Sequence, residues 1–446
     1  MRGNGDSWRK YRWHWKCAEK TVLTEKLIHY FRQIPDYRCG REKRHDLGEM
    51  LVCVTLGFLC GRTTIRRSLK WCKTHLEELR KHMKLKYGIA SPSTITRMLC
   101  GIDEELALYA FMEWIGEIVE SRNTHLAIDG KALCGATEKT KGETTPMLLN
   151  VVETVRGLIL AQLPVDSKTN EITAIPELLK LLDISGSIVT IDAVGTQTAI
   201  MEQIHEQGGH FALTVKKNQP EAYEEIHTFM DKLGAEDLKR KKGEAMDPGM
   251  KEFLEKYEEI SQMEKNRDRN EYRTCQICKD ASNLTKSQKE WPHVQSIGRI
   301  KQVRIPSEKD SHGNDVTPSK EEFLEKGSRR IPAPSAGEGA GKDVQCTALI
   351  SDLILTAEEL GSIKRMHWSI ENRLHHVLDD TFREDRSPAK KSRNNLSLIR
   401  KYAYNILRLA MYETGLANIM TEMMDCFCDN AALRERYVFQ GIASLY

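Results

Sequence analysis

The chain has 446 residues, too many for one ordinary hydrophobic core, so two or three domains are expected. Its longest apolar run, Met50 to Cys60, is far short of a bilayer span, and its twelve cysteines show no framework of paired spacings. A membrane-spanning helix and a disulfide scaffold are thereby excluded, and a reducing cytoplasm is the expected compartment.

A formal net charge of +3 hides an uneven distribution. Residues 1–46 hold twelve Lys/Arg against six Asp/Glu, and residues 383–401 hold seven against Glu384 and Asp385. Two basic stretches on a near-neutral body point to a polyanion or to plain solvated surface.

In chain order, the first 122 residues read as helical, and we take 1–122 as a helical, DNA-binding domain. "TEKLIHYFRQI" has helical spacing and stops at Pro35, "DLGEMLVCVTLGFLCG" is a mostly apolar helix, and "TIRRSLKWCKTHLEELRKHM" is amphipathic and basic. Ser91-Pro92-Ser93 starts another helix, whose Thr94, Thr96 and Arg97 fit either the reading half of a helix-turn-helix or a plain capped helix.

From 124 the period changes to two: "HLAIDGK", "LLNVVETV" and "LILAQLPV" are three strands, the last pair joined at Arg156-Gly157. Helix "NEITAIPELLKLLDI", strand "SIVTIDAV", helix "TQTAIMEQIHEQG" and strand "HFALTVK" follow, giving the order βββαβαβ. No glycine-rich phosphate loop follows a strand, so nucleotide binding has no support. An insertion at about 218–345 carries its own strands, with Cys275 and Cys278 as strand residues rather than zinc ligands. The core pattern resumes with strand "CTALISDL", a helix from Ala357 to about Leu378 and another ending at Gly415, closing a domain at 123–416 before a tail at 417–446.

Two strands end in the same phrase, Ile128-Asp129 and Ile191-Asp192. Side by side in a sheet, two such carboxylates repel unless a cation lies between them. Hard oxygen donors without Cys or imidazole suit Mg²⁺, or Mn²⁺ in its place, and two such ions about 3.5–4 Å apart serve phosphodiester chemistry. Glu371, among apolar residues in "RMHWSIENRLHHVLDDTFRED", is the candidate third ligand. A zinc hydrolase built on His367, Glu371 and His375 is the distant alternative. Lys131, Lys168 and Lys217 stand at strand-to-helix edges near the carboxylates and are candidate phosphate contacts.

"IPDYRCGREKRHDLGEML", "GIASPSTITRML", "LAIDGKAL", "DSKTNEITAIPELLKLLDISGSIVTIDAVGTQ", "VKKNQP" and "HWSIENRLHHVLDDTFRED" resemble the H-repeat-associated proteins, which look like DDE transposases of bacterial insertion sequences. The resemblance spans roughly 25–415. It implies an RNase H-like mixed sheet with helices on both faces and a catalytic, metal-binding triad of Asp129, Asp192 and Glu371. Where related transposases carry Tyr, Arg and Lys around the glutamate, this chain has Lys364, His367 and Leu378, so charge is expected from Lys364, Arg365 or Arg373. The expected activity is Mg²⁺-dependent cleavage of double-stranded DNA ends and strand transfer by a homodimer near the nucleoid. The alternatives are a related nuclease or a non-catalytic DNA-binding descendant.

Overall fold

A computed structural model describes residues 25–133, 147–165, 171–266, 269–284, 291–306, 308–309, 315–316, 344–387, 389–443 and 445. Lys168 lies outside them, as does the stretch "WRKYRWHWK" at residues 8–16, whose tryptophans among basic residues suit base stacking or a plain terminus.

Six helices open the described chain: α1 Leu27–Gln33, α2 Leu47–Leu59, α3 Ile65–Thr74, α4 Leu76–Leu79, α5 Pro92–Gly101 and α6 Glu104–Gly116. Capping explains several starts. Asp46, Thr64, Ser91 and Asp103 each accept a backbone N–H of the first turn, and Pro92 occupies the first turn of α5. The basic stretch expected as one helix breaks at His75, which closes α3 and precedes α4.

Strands β1 His125–Ala132, β2 Met147–Glu153 and β3 Leu158–Val165 precede helix α7 Glu171–Lys180. Then come β4 Ile188–Ile191, α8 Thr198–Glu206, β5 His210–Val215, α9 Pro220–Lys242 and α10 Lys251–Glu255. Strands β6 Tyr257–Asn266, β7 Arg269–Cys278, β8 Ser296–Pro306 and β9 Val344–Ser351 lead to α11 Ala357–Ile370. The last helices are α12 Arg393–Thr414, α13 Met420–Asp429 and α14 Ala431–Arg434.

The chain forms two compact units, residues 1–187 with 368–446 and residues 188–367. In the first, β3, β2 and β1 lie in that order, all antiparallel, with Gly157 at a φ of +75° in the β2–β3 turn. Helix α2 is buried along its whole length. Gly57 is obligatory there, because a Cβ would lie 2.1 Å from the Ser68 side chain of α3. On α12, Tyr402 sits among Phe31, Phe111 and Trp114, with ring centroids 4.7–4.8 Å away. Asn405 of α12 bonds both backbone groups of Ile159, so this helix is pinned to β3. The stretch expected as a tail is helical and packed: Met423, Phe427 and Tyr437 are buried, and Arg434 pairs with Glu78 at 2.8 Å.

In the second unit the order is β4-β5-β9-β8-β7-β6. β4 and β5 are parallel and the remaining pairs antiparallel, so the sheet is mixed. The strands of the expected insertion therefore extend the sheet through β9 instead of standing apart. Cys275 and Cys278 are buried in β7, where burial pushes each thiol up to about 11. α11 packs through Ala357, Leu360 and Ile363 on Ile277, Ile300 and Leu349. It ends at Ile370, not near Leu378, and the chain continues in π-helical turns at Glu371–His375 and Val377–Thr381.

At the start of β1, His125 is fully buried, its Nδ1 2.7 Å from Thr154 Oγ1 and its Nε2 without a hydrogen-bond partner. Burial lowers its pKa to about 3 from 6.5. Below 6.5 the unfolded chain binds a proton that the folded one refuses, so stability falls with pH. The expected loss from this group is at most about 1.4 kcal/mol per pH unit. Denaturant unfolding between pH 7 and 4.5 should give a flatter acid limb for His125→Gln than for the parent.

Candidate active site

Asp129 stands in β1 between the apolar run "HLAI" and Lys131. Its Oδ1 accepts the Gly130 N–H at 2.9 Å, and its side chain is 33% exposed. His375 Nδ1 lies 3.7 Å from its other oxygen. Burial, with Lys131 and Lys401 adding positive field, brings the His375 pKa down to about 4, so the ring is neutral at pH 7. His375 Nε2 is buried and lacks a hydrogen-bond partner. Glu371 lies one helical turn earlier, exposed, in the first π-helical turn, where the His376 N–H donates to the Glu371 carbonyl. Such i+5 turns are rare and recur at functional sites.

Lys131, expected at a phosphate, is buried instead, with 4% of its side chain exposed. Its ammonium meets Asp379, with Asp385 Oδ1 at 3.4 Å and Glu384 Oε2 at 3.6 Å. Burial works against its charge, but the three carboxylates outweigh this and raise its pKa. Glu384 is itself buried, 3.7 Å from Arg400 Nη1. Burial would raise its pKa, yet Arg400, Lys401 and Lys131 hold it below the usual value. Lys401, fully buried, donates to Asn150 Oδ1 and Gln162 Oε1, and burial lowers it to about 7. Asn150 is the cross-strand partner of Asp129, and Gln162 that of Asn150. Arg400 and Lys401 were counted in a basic surface patch; both are interior, leaving Arg383, Arg386, Lys390 and Lys391 as its exposed part.

In the second unit Asp192 directly follows β4. Although it precedes the short turn Ala193–Gly195, its side chain does not cap it. Instead Oδ2 meets Lys216 Nζ at 2.6 Å. Burial would raise its pKa, but Lys216, then Lys364, lower it overall. Asn218 donates to the Ala193 carbonyl at 3.0 Å and Gln219 to that of Thr196, so "KKNQP" braces the loop after Asp192. On α11, Lys364 Nζ donates to Thr214 Oγ1 at 3.0 Å and His367 Nδ1 lies 3.1 Å from Thr190 Oγ1. Both therefore face the strands flanking Asp192.

The remaining expected contacts differ in setting. Lys217 is exposed beside Lys216. Arg365 turns to β6, pairing with Glu264 at 2.7 Å. Arg373 is exposed, with its carbonyl held by the Tyr404 hydroxyl at 2.8 Å. Arg97 is exposed on α5, a well-capped helix.

Among the described residues no three His, Cys, Asp or Glu side chains are gathered to hold a metal ion. The donor chemistry nevertheless fits a hard divalent cation. Asp129 and Asp192 are partly exposed carboxylates, and a cationic Lys216 ammonium already sits against Asp192.

Residues 28–115 match the family model described as DDE_Tnp_1-associated, and residues 120–406 match the Transposase DDE domain. The H repeat-associated protein YhhI of Escherichia coli (strain K12) is 28% identical over 388 residues, covering 86% of this chain and 90% of that protein. YbfD of the same strain, also H repeat-associated, is 32% identical over 196 residues, or 44% of this chain and 78% of that one. A cryo-EM structure of the piggyBac transposase synaptic complex with hairpin DNA matches at 10% identity and a TM-score of 0.37, over 92% of this chain and 78% of that one.

If Lys216 is what holds Asp192 ionised, Lys216→Met should move the Asp192 pKa upward. Carboxyl-carbon NMR titration of the two proteins measures the shift.

Proposed function

Because the chain belongs to the Transposase DDE domain family over residues 120–406, we propose that it is an insertion-sequence transposase acting on double-stranded DNA with Mg²⁺. The observation that carries this reading is the pair of strand-borne aspartates, Asp129 and Asp192, together with a glutamate one turn before the histidine that meets Asp129. Strand orders β3-β2-β1 and β4-β5 within the two units support an RNase H-like core. The reading requires Asp129, Asp192 and Glu371 to share metal ions.

When bound, the ions supply Lewis acidity at the phosphodiester and a more acidic water. The chain's own part is electrostatic and positional. Asp192 stays ionised at neutral pH because Lys216 and Lys364 favour its charged form. A neutral His375 beside Asp129 adds no competing charge. Lys217 and Arg373, exposed and cationic, are proposed contacts for the DNA backbone. Water hydrolyses the phosphodiester at the element's end, releasing a 3′-hydroxyl. That hydroxyl then attacks a target phosphodiester and displaces the target's own 3′-oxygen. Two protomers, one for each end, complete the proposal, which places the protein with nucleoid DNA in the cytoplasm. No described helix is long and apolar enough to cross a membrane.

For end recognition we propose α3 in preference to α5. Arg66, Arg67, Lys70 and Lys73 are exposed on α3, which has no acidic residue, whereas α5 offers Arg97 alone. Each phosphate contact contributes about 0.9 to the slope of log affinity against log salt. Arg66→Ala with Lys70→Ala should flatten that slope by about 2, measured by fluorescence anisotropy on the DNA flanking the gene.

The activity is tested with a pre-cleaved element end and supercoiled target. Asp129→Asn, Asp192→Asn and Glu371→Gln should each lower joining at least about 100-fold while DNA affinity stays within about threefold. Nicked but never joined products identify a nuclease instead. DNA binding that is the same with and without Mg²⁺, with no cutting, identifies a binding protein.

A further inference from the structure

The reading above leaves Lys131 without a task, because its ammonium is too buried and too fully engaged to meet a phosphate. Its partners lie 248 to 254 positions later, in the segment that follows Glu371. Two approaches bring strand and helical segment together: the Lys131–Asp379 ion pair, and His375 Nδ1 at 3.7 Å from Asp129, beyond hydrogen-bond reach. The strand residues are two apart in β1, about 6.6–6.8 Å along a strand; the helical residues are four apart in the π-helical run, close to one turn. The two spacings match, so both approaches are made together. Glu371 stands one further turn back along the same segment.

We propose that Lys131 is a positioning residue, which clamps the Glu371-bearing segment to the Asp129-bearing strand through Asp379, Glu384 and Asp385. The inference rests on the catalytic reading and deepens it. The clamp belongs to a cluster of charges: Lys131 against Asp379, Glu384 and Asp385, with Arg400 3.7 Å from Glu384 and Lys401 adding positive field to it. Buried charges are tolerated when so matched, and removing one member leaves an uncompensated charge on the other side. The clamp also explains why acids crowd into "DDTFRED" directly after the glutamate segment.

The test uses the full-length protein in four forms: parent, Lys131→Met, Lys131→Arg and Asp379→Asn. Three quantities are measured: Mn²⁺ binding by electron paramagnetic resonance, DNA affinity in EDTA, and the unfolding temperature. Expected are Lys131→Met and Asp379→Asn proteins that remain folded, bind DNA within about twofold of the parent and need at least about tenfold more Mn²⁺ for half-saturation. Lys131→Arg should recover most of that loss, as a purely volume-filling role would not. Parent-like Mn²⁺ binding in Lys131→Met overturns the proposal, as does weakened DNA binding with Mn²⁺ binding intact, which marks a phosphate contact. Should Lys131→Met not fold, Asp379→Asn, which keeps a polar partner of the same shape, decides the matter by the same readings. If the parent itself binds no Mn²⁺, the catalytic reading fails, and that failure is visible without any variant.

Discussion

The first unit depends on a balance of charge behind β1, where Lys131 and Glu384 are buried and Asp379 and Asp385 stay partly exposed. Lys131 and Arg400 meet three carboxylates, the groups drawn from a strand, a π-helical turn, a short loop and helix α12. No single pair would survive there alone, since an isolated buried ion is costly to desolvate. Their mutual presence fixes where α12 lies, because Lys401 reaches Asn150 and Gln162 while Asn405, one turn on, holds β3. The aromatic cluster around Tyr402 completes the same helix from its other side. Charge thus gives α12 its register and apolar packing gives it its seat.

Much of this architecture was legible in the sequence. The change of period at residue 124, the Arg156-Gly157 turn and the two Ile-Asp endings identified β1 to β5 with their aspartates. These signals are local, since a strand's alternation and a turn's glycine act within a few residues. Cys275 and Cys278 were placed correctly for the same reason.

What was missed acts over long separations. Nothing near Lys131 announces Asp379 or Glu384, so its sequence setting reads as a phosphate contact. Arg400 and Lys401 counted as surface charge because their compensation lies on β2, β3 and the segment after Glu371. Lys216 went unnoticed as the counter-ion of Asp192, although the lysine-rich ending of β5 was on view. The π-helical turns also escaped, as apolar spacing cannot tell an i+4 from an i+5 bond over so short a run.

The placing of β9 has a consequence for how the second unit is made. Val215 of β5 is hydrogen-bond neighbour to a strand whose matching residue, Ala348, is 133 positions downstream. During synthesis the growing polypeptide therefore carries β5 with one flank open until everything between has emerged. Closing so large a loop is slow, and an open flank invites pairing with other chains. The intervening hairpin strands can zip together early, since β6 and β7 adjoin in order. Assembly of this sheet thus ends in the middle, with the last strand sliding between two halves already formed.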